Sequence, residues 1–139
     1  MDIKGACYFS KINNQHIIIF LTNENENGMA LLVPLSSIKF NSNGTYLYNN
    51  ERCDYYDDVC VLNINDIITD TGKSVLIKPT CVRYDKAAEM SVSDITSSHF
   101  QNQLEYRRIV DNKILKRLQN GAKLSDNIPI YFQKYFELF

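Results

Sequence analysis

Residues 16–22, HIIIFLT, and residues 29–35, MALLVPL, constrain this fold more than any other stretch. Both runs are continuously apolar rather than alternating, and the first is rich in β-branched Ile. Runs of this length and kind read as strands buried on both faces. Asn23-Glu24-Asn25-Glu26-Asn27-Gly28 lies between them and has the polar, Gly-ended chemistry of a loop. The two strands are therefore expected to pair as a hairpin. Neither apolar run, of which residues 17–21 form the strictly aliphatic-aromatic heart of the first, is nearly long enough to span a bilayer.

The second run closes on Pro34-Leu35-Ser36-Ser37. Proline cannot donate to a sheet ladder, so the strand is expected to be finishing there or to lie at an edge. The two serines then have two readings. They close the strand by bonding local backbone, or they sit at a strand end where a substrate is handled.

Around this hairpin the first ~85 residues read as short strands and turns. Residues 5–11, 45–48, 59–62, 74–77 and 80–84 have strand character, with turns at 12–15 and 41–44. Periodicity then changes. Phe100, Leu104, Val110, Ile114 and Leu118 recur at helical intervals, with Arg107, Arg108, Asp111, Lys113, Lys116 and Arg117 between them. Gly121 suits the end of that helix. Ser91 or Ser93 can cap an earlier short helix, and Ser125 a later one with Pro129 in its first turn. The aromatic segment 131–139 is expected to pack on the rest of the chain. Strands followed by helices give an α+β class. The simplest architecture is a small, strongly bent SH3-like β-barrel over residues 1–90, followed by two C-terminal helices in a helical extension over residues 91–139.

Composition bounds the function. At 139 residues the chain is expected to be one domain, and 45% apolar with 22% charged residues is ordinary for a globular protein. A net charge of −1 excludes a global basic field but leaves room for a local basic face. The N-terminal residues lack a signal-peptide pattern, so a cytoplasmic, non-membrane protein is expected. Cys7, Cys53, Cys60 and Cys81 form no close-spaced pair, and only two histidines exist. No metal or other cofactor is therefore expected, and the cysteines read as buried, reduced hydrophobes. Glu51, Asp54, Asp57 and Asp58 read as a solvated acidic loop.

The order of these features resembles the MazF/PemK family. Gly5-Ala6-Cys7-Tyr8 opens a first strand, an apolar strand follows a turn, a third strand ends in Pro34-Leu35-Ser36-Ser37, and Lys78-Pro79-Thr80-Cys81-Val82-Arg83-Tyr84 resembles a late barrel strand. The resemblance covers roughly residues 3–90. It implies a toxin-like, metal-independent RNA endonuclease of a toxin–antitoxin or phage-defence system, acting on single-stranded RNA, with an acidic antitoxin and a homodimer as expected partners. It also implies that the strand-end hydroxyl, Ser36, meets the scissile phosphate. Where family members carry Arg-Pro before the second strand, this chain has Gln15-His16.

Cleavage of RNA by its own 2′-OH needs a base, an acid and a cation. His16 can move protons near neutrality or simply cap a strand edge. Arg83 can offer a bidentate fork to phosphate; strand alternation turns it away from Val82 and towards solvent. Ser36, His16 and Arg83 are thus the expected catalytic residues, and Ser37, Lys39, Arg52, Lys78 and Thr80 the expected substrate contacts. The cations of 107–117 can track a nucleic-acid backbone or serve only as a soluble face. The alternative to an enzyme is a non-catalytic nucleic-acid- or protein-binding module that keeps the same barrel.

Overall fold

The computed structural model of the chain describes residues 2–12, 15–37 and 61–139, together with the backbone of 39–40 and 46–47. The α+β class is observed, with strands β1 (Ala6–Ser10), β2 (His16–Phe20), β3 (Met29–Ser37), β4 (Lys39–Phe40), β5 (Tyr46–Leu47), β6 (Val61–Leu62), β7 (Thr80–Val82), β8 (Ala88–Ser91) and β9 (Leu104–Ile109). Helix α1 spans Val92–Phe100, α2 spans Asn112–Leu124, and a 3-10 helix covers Ile130–Leu138.

The expected hairpin is present: β2 and β3 pair antiparallel from Ile17↔Leu35 to Phe20↔Leu32. Seven strands share one sheet in the order β6-β7-β3-β2-β1-β9, with β8 also paired to β3, while β4 and β5 pair separately. Among the described residues this path is open, ending at β6 and β9, and is not closed into a barrel.

Both faces of the central hairpin are covered, which explains its unbroken apolar sequence. On one face Ile19, Leu31, Val33 and Leu35 pack with Ile114, Leu115, Leu118 and Ala122 of α2 and with Tyr135 of the 3-10 helix. On the other, Ile18, Phe20, Ala30 and Leu32 pack with Tyr8, Ile95 of α1 and Leu104 of β9. Each fully buried aliphatic side chain contributes about 1.5–3 kcal/mol relative to exposure. Polar ties reinforce the α2 side. Gln119 Nε2 donates to the Leu21 carbonyl at 2.9 Å, and the Tyr84 hydroxyl donates to the Leu118 carbonyl at 2.8 Å.

Pro34 does not end its strand, contrary to the sequence expectation. β3 runs on to Ser37 and has two partners on one side: β8 along its first half and β7 along its last residues. Pro34 lies where one partner gives way to the other, beside the 3-10 turn Tyr84–Lys86. Its carbonyl accepts the Arg83 N–H at 2.9 Å. A residue's N–H and C=O point to the same neighbour in an antiparallel sheet. The proline's missing donor therefore faces the gap between β7 and β8.

The expected long helix over 100–120 is corrected. α1 is N-capped by Ser91, whose Oγ accepts the Asp94 N–H at 3.1 Å, as the sequence suggested. It ends at Phe100, and the chain turns out of it through Asn102, which takes the left-handed conformation with φ 60°. The chain then forms β9 along β1, from Ser10↔Leu104 to Ala6↔Ile109. Pairing an otherwise open sheet edge outweighs the helical spacing, which Phe100 met only by coincidence, being 80% exposed. Residues 91–139 thus supply a strand to the same sheet as residues 6–10. Gly121 is likewise no helix terminator; it is buried within α2, which continues to Leu124. Residues 74–77 form only an isolated bridge, Ile68↔Ser74.

The terminal aromatic segment packs as expected through Tyr135, Phe132, Phe136 and Phe139. Tyr135 donates to Glu89 Oε2 at 2.5 Å and accepts from Asn25 Nδ2 at 3.3 Å. Of the two cysteines among the described residues, Cys7 is free and buried. Cys81, expected to be reduced, is disulfide-bonded. No helix among the described residues is long and apolar enough to cross a membrane.

Two measurements check this arrangement. Gly5 has φ +85°, and an added Cβ would meet Ile109 Cγ2 at 3.4 Å. Gly5→Ala should lower stability by about 1 kcal/mol or more in urea unfolding. Burial pushes the Cys7 thiol up from 9.0 to about 12. The folded thiol binds its proton more tightly than the unfolded one, so this contribution is complete below pH 9 and is lost as pH rises from 9 towards 12. Folded protein at pH 8 should leave Cys7 unreactive to a disulfide reagent, with reaction appearing only on unfolding.

Candidate functional site

The site is built by the register of the hairpin. Ser10 pairs with His16 across β1 and β2. The β2–β3 register runs from Phe20↔Leu32 to Ile17↔Leu35, and carried one step further it sets His16 across from Ser36. Residues opposed across an antiparallel ladder share a face, and so do residues two apart along a strand. Ser10, His16, Ile18, Pro34 and Ser36 therefore belong to one face.

That face carries a cleft of about 560 Å³. Its polar wall includes Ser10, Gln15, His16, Ser36, Arg83 and Lys86, and its apolar wall includes Ile12, Ile18, Leu32, Pro34, Ala88 and Met90. All three residues expected to be catalytic, Ser36, His16 and Arg83, line this one cleft. Sequence reading missed Ser10, Lys86 and the apolar wall from β8. The β1–β2 register locates Ser10 once the hairpin is known. Nothing in the sequence marks Lys86.

Arg83 is turned away from Val82, as alternation requires, but it is not the solvent-facing cation expected. The residue is only 9% exposed. Its Nε donates to Asp85 Oδ1 at 2.7 Å and its Nη2 to Asp85 Oδ2 at 2.6 Å. This fork is the geometry in which a guanidinium would meet phosphate. Here a carboxylate two residues away already takes it. Lys86, beside it, is exposed and brings the second cation of the cleft.

A second cleft of about 490 Å³ opens on the opposite face of the same strand ends. Ser37, Lys78 and Thr80, three of the expected substrate contacts, line it together with Phe9, Ile17, Leu35, Ile77 and Arg107. Gln15, His16, Leu35 and Ser36 border both clefts. Of the expected site residues, Arg83 lines only the first cleft, Ser37, Lys78 and Thr80 line only the second, and His16 and Ser36 stand between them. Lys39 is described only through its backbone in β4, and Arg52 lies outside the described residues.

Arg107 reaches the second cleft from β9, not from a helix. Its guanidinium carbon stands 5.4 Å from the Phe9 ring centre. Glu105 receives both Lys11 Nζ at 2.7 Å and Arg107 Nη2 at 3.1 Å. The hydrogen bond from Lys11, joined by Arg107, holds the exposed Glu105 carboxyl below its usual range. Two cations thus share one carboxylate beside this cleft.

No known family, curated protein or solved structure matches the chain. The likeness to the MazF/PemK family therefore rests on the sequence features alone. Among the described residues, no group of three His, Cys, Asp or Glu side chains is placed to hold a metal ion.

The Arg83–Asp85 clasp yields a direct test. Side-chain exposures of 11% and 9% put the pair well inside the surface. Asp85→Ala leaves a nearly buried guanidinium without its carboxylate and should cost about 2–4 kcal/mol in urea unfolding. Lys86→Ala, at an exposed position, should change stability by no more than about 0.5 kcal/mol.

Proposed function

We propose that the chain is a toxin-like endoribonuclease that cleaves single-stranded RNA without a metal, as a divergent relative of the MazF/PemK family. On this reading its open sheet is a variant of that family's bent barrel, and an acidic antitoxin and a second copy of the chain are its partners. The observation that carries the reading is that His16, Ser36, Arg83 and Lys86 line one cleft at the end of the β2–β3 hairpin.

Each chemical requirement has a candidate there. The 2′-OH attacks the adjacent phosphorus as its proton passes to the His16 imidazole. The P–O5′ bond breaks, and the departing oxygen takes a proton back, leaving a 2′,3′-cyclic phosphate and a free 5′-OH. One imidazole, first as base and then as acid, serves both transfers. Ser36 donates to a non-bridging oxygen as charge gathers on it, and Lys86 adds positive potential. The apolar wall from Ile18, Leu32 and Met90 offers a surface for a base.

One observation favours the rival reading, a binding module without catalysis. Asp85 occupies the Arg83 fork, so the strongest cation of the cleft is already neutralised. Incubation of purified protein with single-stranded RNA in EDTA separates the two. Cleavage yielding cyclic-phosphate ends is expected from the wild type. His16→Ala should lower the rate by about 10²–10⁴-fold, and Ser36→Ala by about tenfold or more, both with unchanged unfolding midpoints. RNA retained intact by the wild type leaves the binding module standing and removes the enzyme.

A further inference from the structure

The second cleft contains a buried hydroxyl that has no hydrogen-bond partner among the described residues. Thr80 is 7% exposed, and its Oγ1 is a buried side-chain oxygen without a hydrogen-bond partner. Buried polar atoms are nearly always satisfied, so such an orphan calls for a cause. Thr80 pairs with Ser37 across β7 and β3. Its side chain therefore shares the face of Ser37, which lines the cleft.

The charges around that hydroxyl have one sign. Among the described residues, the charged side chains lining the cleft are Lys78 and Arg107, and no carboxylate joins them. Glu105 beside Arg107 is already shared with Lys11. Arg107 thus has one carboxylate partner, shared with Lys11, and hydroxyl donors beside such cations are the chemistry that holds a phosphate group. We propose that this cleft is a phosphate subsite, in which the Thr80 and Ser37 hydroxyls donate to phosphate oxygens and Lys78 and Arg107 neutralise the charge.

The ligand is a phosphodiester of single-stranded nucleic acid or free inorganic phosphate. Because Gln15, His16, Leu35 and Ser36 border both clefts, a nucleic-acid strand crossing the sheet end would set one phosphate here and the next near His16. That placement deepens the endoribonuclease reading and rests on it; the phosphate subsite itself does not.

The test uses the full chain, a fluorescent single-stranded oligouridylate followed by anisotropy, and inorganic phosphate followed through the Thr80 amide resonance. Thr80→Val removes the hydroxyl at nearly constant shape and should fold normally, since it leaves no donor unpaired. It should weaken binding about three- to tenfold. Lys78→Ala with Arg107→Ala should flatten the dependence of log Kd on log salt by about 1.4, as expected for two contacts to a single strand. Oligonucleotide binding competed by phosphate assigns a phosphodiester; phosphate binding without oligonucleotide binding assigns the free ion. Failure of the wild type to bind either probe, or unchanged binding in a folded triple variant that combines Thr80→Val, Lys78→Ala and Arg107→Ala, overturns the subsite. Binding lost in these variants while the wild type cleaves no RNA sinks the endoribonuclease and leaves the subsite intact. Cleavage lost in His16→Ala while the triple variant binds normally does the reverse.

Discussion

Everything in this fold depends on burying a two-stranded hairpin from both sides. A sheet with one wet face would carry alternating polar residues on β2 and β3, and these strands carry almost none. The chain must therefore provide two covers. α2 and the terminal 3-10 helix form one, and α1 with β9 contributes to the other. Long-range hydrogen bonds fasten the first cover, with Gln119 reaching the end of β2 and Tyr84 reaching α2.

Polar chemistry is accordingly pushed to where the covers stop. The ends of β2 and β3 carry His16, Ser36 and Ser37, and both clefts open there, one on each face. The break between β7 and β8 does related work. It accommodates Pro34 inside a central strand and positions the turn that carries Arg83, Asp85 and Lys86. A residue that looks like a strand terminator in sequence instead marks the place where its neighbour changes.

Much of this is legible in the amino-acid sequence. Uninterrupted apolar runs joined by an Asn-rich loop specify a doubly buried hairpin, and Ser91 and Ser93 mark the neighbourhood of a helix start. The nearness of His16 and Ser36 follows from the hairpin register alone. What was not legible depends on partners distant in sequence or on geometry. Leu104 and Val110 fit a helix by spacing, yet residues 104–109 pair with β1 because that edge is open. Arg83 alternates as a surface residue would, but the following turn folds Asp85 back onto it. Cys81 sits in a strand like any small hydrophobe, and local sequence gives no sign of its disulfide.

The same double burial has a cost in addressing. In a strand with one apolar face, sliding by a single position throws hydrophobic side chains into water, and that penalty protects the pairing. Here both faces are greasy, so a slip would be punished far less. Alignment must be enforced by the few residues that are not interchangeable: Thr22, whose Oγ1 accepts the Leu31 N–H at 3.0 Å; Asn25, whose Oδ1 accepts from Asn27 and Met29; and Gly28, at φ 75°. These connector residues, distant from either cleft, act as the fiducial marks that decide whether an imidazole and a hydroxyl at the far end of the ribbon come face to face.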